Sequence, residues 1–256
     1  RKRFFKMDTF KNKKQMNKYL ILSIMILSLS SCNNEKGSNS VFIQGGGTLD
    51  DWANLSKYDE SNKKLMNVID ENRVVFMGNS ITEGWSNFDP DFFIDNPYVN
   101  RGISGQTTPQ MLIRFKPDVV SLKPKSVVIL AGINDIAGNT GPIKIENIAE
   151  NIFSMSEIAK SNNIEVFICS VLPAKAFPWS PSIKNVAEKV IKLNSILEKY
   201  CLDNKIQYVD YHSEMNDGNG GLKVPEHTTE DDLVHPNKEG YKVMEEVISI
   251  FLDTNN

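Results

Sequence analysis

Short β-branched and apolar runs recur along the chain at Val74–Met77, Tyr98–Val99, Val127–Ala131, Ile164–Val171 and Ile206–Val209. Between and after them lie helix-like stretches with spaced apolar positions, at Leu65–Ile69, Pro109–Phe115, Ile145–Ala159, Val186–Tyr200 and Tyr241–Leu252. This alternation is the strongest constraint on the fold. Parallel strands need a long crossover between them, and a helix supplies it, so the pattern predicts a parallel sheet covered by helices on both faces. The run Val127-Val128-Ile129-Leu130-Ala131 has no polar side, as a central strand buried on both faces requires. In open sheets of this class ligands bind beyond the carboxyl ends of the strands, so the residues that follow each strand are where chemistry is expected.

The first strand runs directly into Gly78-Asn79-Ser80-Ile81-Thr82-Glu83-Gly84-Trp85. A serine there projects from the top of the sheet, and a helix starting at the turn would aim unpaired N–H groups at developing negative charge. Taken alone, Ser80 reads first as a helix N-cap. The second strand ends in Asn100-Arg101-Gly102-Ile103-Ser104-Gly105, where glycine permits close backbone approach, and the third in Gly132-Ile133-Asn134-Asp135, which sets a carboxamide at the same edge. Asn134 alone reads equally as a turn or cap residue. A nucleophilic serine needs a base, and the chain holds only His212, His227 and His235. His235 sits in Asp231-Asp232-Leu233-Val234-His235-Pro236, just before the last helix, with carboxylates able to orient its ring. His212 and His227 read as surface or supporting residues.

Gly78-Asn79-Ser80, Gly102, Gly132-Ile133-Asn134-Asp135 and Asp232-Leu233-Val234-His235, in that order from Val74 to Tyr241, resemble blocks I, II, III and V of the SGNH (GDSL-type) hydrolases. The resemblance implies a flavodoxin-like three-layer α/β/α sandwich, and a serine esterase with Ser80 as nucleophile, His235 as general base and Asp232 orienting it. It also implies an oxyanion hole formed by the Ser80 and Gly102 N–H groups and the Asn134 side chain, and no metal or organic cofactor. The D-x-x-H spacing of the family selects Asp232 over Asp231. One departure is Asn79, where the family usually has Asp before the serine. Asn79 and the aromatics of the proline-flanked loop Phe177-Pro178-Trp179-Ser180-Pro181 are the expected substrate contacts. No long apolar insertion follows a strand end, so short acyl groups, acetyl on a polar carrier such as a sugar, are the expected substrate. A lysophospholipase or thioesterase is the enzymatic alternative, and a non-catalytic binding lipoprotein the alternative outside enzymes.

The amino terminus predicts export. Lys11, Lys13, Lys14 and Lys18 precede an apolar run from Tyr19 to Leu29, then Ser30, Ser31 and Cys32. The run is shorter than the roughly 20 apolar residues of a membrane span, and the layout is that of a signal peptide. Leu29-Ser30-Ser31-Cys32 looks like a bacterial lipobox, so residues 1–31 are expected to be a lipoprotein signal peptide and Cys32 the lipidated residue of an envelope protein. Residues 32–48, rich in Asn, Ser and Gly, read as a flexible tether, and 49–256 as the catalytic domain. Residues 1–31 hold eight of the 29 Lys and Arg and one of the 32 Asp and Glu, which leaves a mature chain near −10. No basic stripe marks it for nucleic acid. Cys169 reads as a core thiol, and sequence leaves open whether it is bonded to Cys201. The sequence assigns no oligomeric state.

Overall fold

Five parallel strands stand in the order β2-β1-β3-β4-β5. They are β1 (Val74–Gly78), β2 (Tyr98–Gly102), β3 (Ser126–Leu130), β4 (Glu165–Cys169) and β5 (Gln207–Val209). The coordinates are a computed structural model that describes residues 47–253. All five residues of β1 and of β3 are buried, which explains why these strands have no polar face. The helices are α1 (Asp59–Met66), α2 (Ser80–Phe88), α3 (Pro90–Ile94), α4 (Thr108–Asp118), α5 (Ile133–Ile136), α6 (Ile145–Ser161), α7 (Val186–Asn204), α8 (Tyr211–Met215) and α9 (Lys238–Asp253). Helices α4, α6 and α7 pack side by side, and α2 packs on α9. The expected α/β sandwich with a five-stranded parallel sheet is what forms.

The strand order reverses between β1 and β3, which is where an open sheet of this class opens a crevice at its carboxyl edge. Gly78, Gly102 and Leu130 stand level across β1, β2 and β3. Ser80 therefore follows one side of the crevice and Asn134 the other.

An aromatic cluster seats the two helices that follow β1. Phe76 of β1 meets Trp85 at 5.6 Å, Phe92 at 5.8 Å, Phe93 at 5.4 Å and Tyr98 at 5.3 Å between ring centroids. Trp85 stacks on Phe92 at 5.0 Å and an interplanar angle of 3°. Each such pair contributes roughly 0.5–1.5 kcal/mol beyond the area it buries. Two polar ties then fix α9 to α2. Tyr241 Oη donates to the Ile81 carbonyl at 2.8 Å, and Trp85 Nε1 donates to Glu245 Oε1 at 2.7 Å. Because His235 lies just before α9 and Ser80 begins α2, these ties fix the distance between them.

Several expectations are corrected. The helix expected at Leu65–Ile69 is the end of α1, which stops at Met66; Val68 and Ile69 are 57% and 93% exposed and face no core. Strand β4 occupies Glu165–Cys169, shorter than the expected Ile164–Val171. At the start of the described residues the Thr48 N–H donates to the Asp51 carbonyl at 3.0 Å and the Asp51 N–H returns the bond at 3.2 Å. The expected leader 1–31, Cys32 and the tether as far as residue 46 lie outside the described residues. Cys169 and Cys201 are buried free thiols, and burial pushes both up, Cys201 to about 12.

Candidate active site

Strand β1 ends at a glycine that nothing larger replaces without a shift, because a Cβ on Gly78 would lie 1.9 Å from Thr82 Oγ1 and 2.7 Å from Thr82 Cβ. Asn79 is the N-cap of α2, its Oδ1 accepting the Ile81 N–H at 3.0 Å. Ser80 is thus the first helical residue, not the cap. Its N–H stands where helix N–H groups have no intrahelical acceptor and where the helix dipole favours negative charge. Asn79, expected among the substrate contacts, is 1% exposed and is occupied by capping.

Ser80 Oγ lies 2.8 Å from His235 Nε2, across 155 residues of sequence. His235 Nδ1 lies 2.9 Å from both carboxylate oxygens of Asp232. Asp232 Oδ1 also accepts the Val234 N–H at 3.1 Å and the His235 N–H at 2.9 Å. Leu233 makes this tight turn possible by adopting φ +66°, a left-handed conformation that costs a leucine roughly 1–2 kcal/mol. With a carboxylate on Nδ1, the neutral ring carries its proton there and presents Nε2 as acceptor to the serine hydroxyl. These side chains reach solvent, His235 and Asp232 being about one-third exposed at 34% and 36%. Asp231 is exposed and lines a neighbouring cleft instead.

The backbone around Gly102 is fitted closely to α2, since a Cβ there would lie 2.1 Å from the Glu83 nitrogen. The Gly102 N–H already donates to Asn100 Oδ1 at 2.9 Å. Asn134, 5% exposed, uses one hydrogen of Nδ2 on the Gln106 carbonyl at 3.0 Å, and the amide has a second hydrogen to donate. Past Gly102, the Ser104 N–H donates to Glu83 Oε2 at 2.7 Å, and Glu83 also pairs with Lys57. Burial pushes the Glu83 carboxyl up, but the bonds from Lys57 and Ser104 outweigh it and hold it below the usual value.

Neighbouring Asp135, missed as a contributor by sequence reasoning, is buried and accepts the Thr108 N–H on both oxygens at 3.0 Å and the Thr108 hydroxyl at 2.7 Å. Burial pushes its carboxyl up to about 7 against the pull of those bonds. The bidentate clamp ties the block that carries Asn134 to the start of α4.

Trp179 is 44% exposed, its ring centroid 6.0 Å from that of His235, which sets it on the rim of the triad. Phe177 is 1% exposed, lies 5.4 Å from Trp179 and is also among the residues that line the neighbouring cleft. Beside them opens a cleft of about 590 Å³, to which Leu233 and Asp231 contribute one wall and Pro178 and Pro181 another. His212 and His227 do not join the triad. The His212 N–H donates to Ser170 Oγ at 2.8 Å, and burial lowers its ring pKa. The buried His227 accepts the Asn237 N–H on its carbonyl at 2.8 Å, which steadies the segment leading into α9. Among the described residues, no three His, Cys, Asp or Glu side chains cluster so as to hold a metal ion.

The sequence model of the GDSL-like Lipase/Acylhydrolase family matches residues 76–243, a stretch that includes Ser80, Gly102, Asn134, Asp232 and His235. The chain belongs to this family of ester hydrolases, within the SGNH superfamily. It is similar to a GDSL-like lipase from Bacteroides thetaiotaomicron, with 46% identity and a TM-score of 0.76 over 80% of this chain and 99% of that one. It is also similar to a Bacteroides fragilis protein assigned to the acylhydrolases, with 48% identity and a TM-score of 0.75 over 80% and 98% of the two chains. A stretch of 78 residues is 33% identical to the uncharacterised lipoprotein YqeF of Bacillus subtilis, over 29% of this chain and 32% of that protein. This chain therefore spans about a third of that curated relative. Among the described residues, no helix of this SGNH hydrolase is long and apolar enough to cross a membrane.

Proposed function

We propose that this chain is a serine esterase that removes short acyl groups, acetyl foremost, from a polar carrier such as a carbohydrate, through an acyl-enzyme at Ser80. The observation that carries the reading is the hydrogen-bonded chain Ser80 Oγ, His235 Nε2, His235 Nδ1 and Asp232 at the switch point of the sheet. Ser80 Oγ attacks the ester carbonyl as His235 Nε2 takes its proton, and Asp232 stabilises the imidazolium. The oxyanion collects the Ser80 N–H and the second Nδ2 hydrogen of Asn134. The Gly102 N–H joins as a three-centre donor shared with Asn100. His235 then returns its proton to the leaving alcohol, and water repeats the cycle on the acyl-enzyme.

Two features support a polar carrier. Five of the eleven residues around the neighbouring cleft, Lys175, Lys184, Asn185, Glu230 and Asp231, are charged or amide side chains beside six apolar ones, so a polar carrier finds hydrogen-bond partners there. The half-exposed face of Trp179 beside His235 suits the apolar face of a sugar ring. Rates on p-nitrophenyl esters from C2 to C12 test the chain-length claim. A true acyl tunnel gains about 0.8 kcal/mol per buried CH₂, so a rise in kcat/KM of about a hundredfold toward C8 overturns the acetyl preference. A flat or falling series supports it.

Export and lipid anchoring at Cys32 belong to the same proposal, supported by the signal-like leader and the lipoprotein relative. The intact mass of the mature protein tests this. A protein starting at an acylated Cys32 agrees with it, and cleavage elsewhere without acyl chains refutes it.

A further inference from the structure

Beneath the site, the turns that carry Ser80, Gly102 and Asn134 are joined by one chain of polar groups that sequence reasoning did not find. Arg114 of α4 is its centre, and its guanidinium is completely buried. Nη2 donates to the Gly78 carbonyl at 2.9 Å, two residues before Ser80. Nε donates to the side-chain oxygen of Gln106, and the backbone carbonyl of that same Gln106 accepts Nδ2 of Asn134 at 3.0 Å. Nη1 pairs with Asp118 at 2.9 Å, and this carboxylate is itself 1% exposed. From Asp118 the chain continues through Asn62 to Arg101, whose guanidinium lies 4.5 Å from the Tyr58 ring. The Tyr58 hydroxyl donates to the Gly102 carbonyl.

Burying a guanidinium is costly even when it is paired, and replacing a buried ion pair by apolar side chains is often neutral or stabilising. Packing alone therefore does not account for an arginine here. We propose that Arg114 is a positioning residue for the ester hydrolysis: it holds the turn before the nucleophile in register with the carboxamide of Asn134. The guanidinium fork suits the task because three of its N–H groups fix three acceptors in one plane, which a lysine ammonium on a flexible stem does not reproduce. Oxyanion donors act only when they are preorganised within a few tenths of an ångström, so loosening this fork should act on turnover while leaving substrate binding intact.

This inference rests on the reading of Ser80 and Asn134 given above, and a double-mutant cycle separates the two. Asn134→Ala alone should lower kcat by about 10² to 10³-fold. Arg114→Lys and, independently, Gln106→Met should each lower kcat by about 10- to 100-fold with KM within about twofold of wild type. Gln106→Met keeps the Arg114–Asp118 ion pair and the backbone carbonyl at 106, so it decides the matter if Arg114→Lys does not fold. Combined with Asn134→Ala, either change should cost less than about threefold more, because the group it positions is gone. Effects that multiply in full, a loss carried by KM, or wild-type turnover in both single variants would overturn the role of Arg114. Wild-type turnover of Asn134→Ala would instead overturn the reading of the site itself, and this inference with it.

Discussion

Gly102→Ala tests how closely the turn after β2 is fitted to α2, the helix that Ser80 begins. The added Cβ would lie 2.1 Å from the Glu83 nitrogen, 2.6 Å from its Cα and 2.7 Å from the Asn79 carbonyl oxygen, all backbone atoms that cannot rotate away. Ordinary contact begins near 3.4 Å, so either the end of β2 or the first turn of α2 must move by about 1.3 Å. Overpacking of this kind costs about 1–3 kcal/mol, and a domain of this size loses about 2–4 °C in Tm for each kcal/mol. The same movement changes the relation of Ser80 to the donors around it, and a misplacement of about 1 Å typically costs about 100-fold in rate. Steady-state kinetics on p-nitrophenyl acetate beside a thermal melt should therefore show kcat lower by about two orders of magnitude, a smaller change in KM and a modest fall in Tm. Wild-type kcat in a folded Gly102→Ala protein would refute the close coupling of β2 to α2.

Asp232→Asn should lower kcat by about 10⁴-fold, the size of effect expected when the base is held in the wrong tautomer, while Asp231→Asn stays within about threefold; kinetics showing the reverse order would reassign the carboxylate that orients His235. Asp135 predicts a pH dependence of stability. Its carboxyl, raised to about 7 in the folded protein from 3.8, binds its proton more tightly than in the unfolded chain. Its contribution is therefore full below about pH 4 and is lost as pH rises toward about 7, at up to about 1.4 kcal/mol per pH unit. Thermal melts of Asp135→Asn should lose that slope between about pH 4 and 7, and an unchanged slope would contradict the assignment.

The sheet, and the meeting of Ser80, His235 and Asp232, were legible because both are written in local signals. Apolar runs without a polar face specified β1 and β3, and Ser80, Asn134 and His235 each stand at a strand end or just before the last helix, where this fold gathers side chains. What escaped was set by tertiary context. Arg114 and Asp118 are spaced i,i+4 on a helix, a pattern that usually marks a solvated ion pair, yet both are buried here. Val68 and Ile69 continue an apolar periodicity beyond the point where α1 ends, so they meet water. Phe177 and Trp179 are two residues apart in one loop, and only the fold decides that one is buried and the other stands over His235. The capping role of Asn79 was concealed by its place next to Ser80, where a polar residue invites a functional reading.

The proposed chemistry turns on an acyl-enzyme at Ser80. Its most direct test is the intact mass of the protein after a fluorophosphonate probe, followed by peptide mapping and comparison with Ser80→Ala. One adduct is expected, located at Ser80, with loss of esterase activity in proportion to labelling, and neither adduct nor turnover in a folded Ser80→Ala protein. Labelling at another residue, or wild-type turnover in Ser80→Ala, would contradict it.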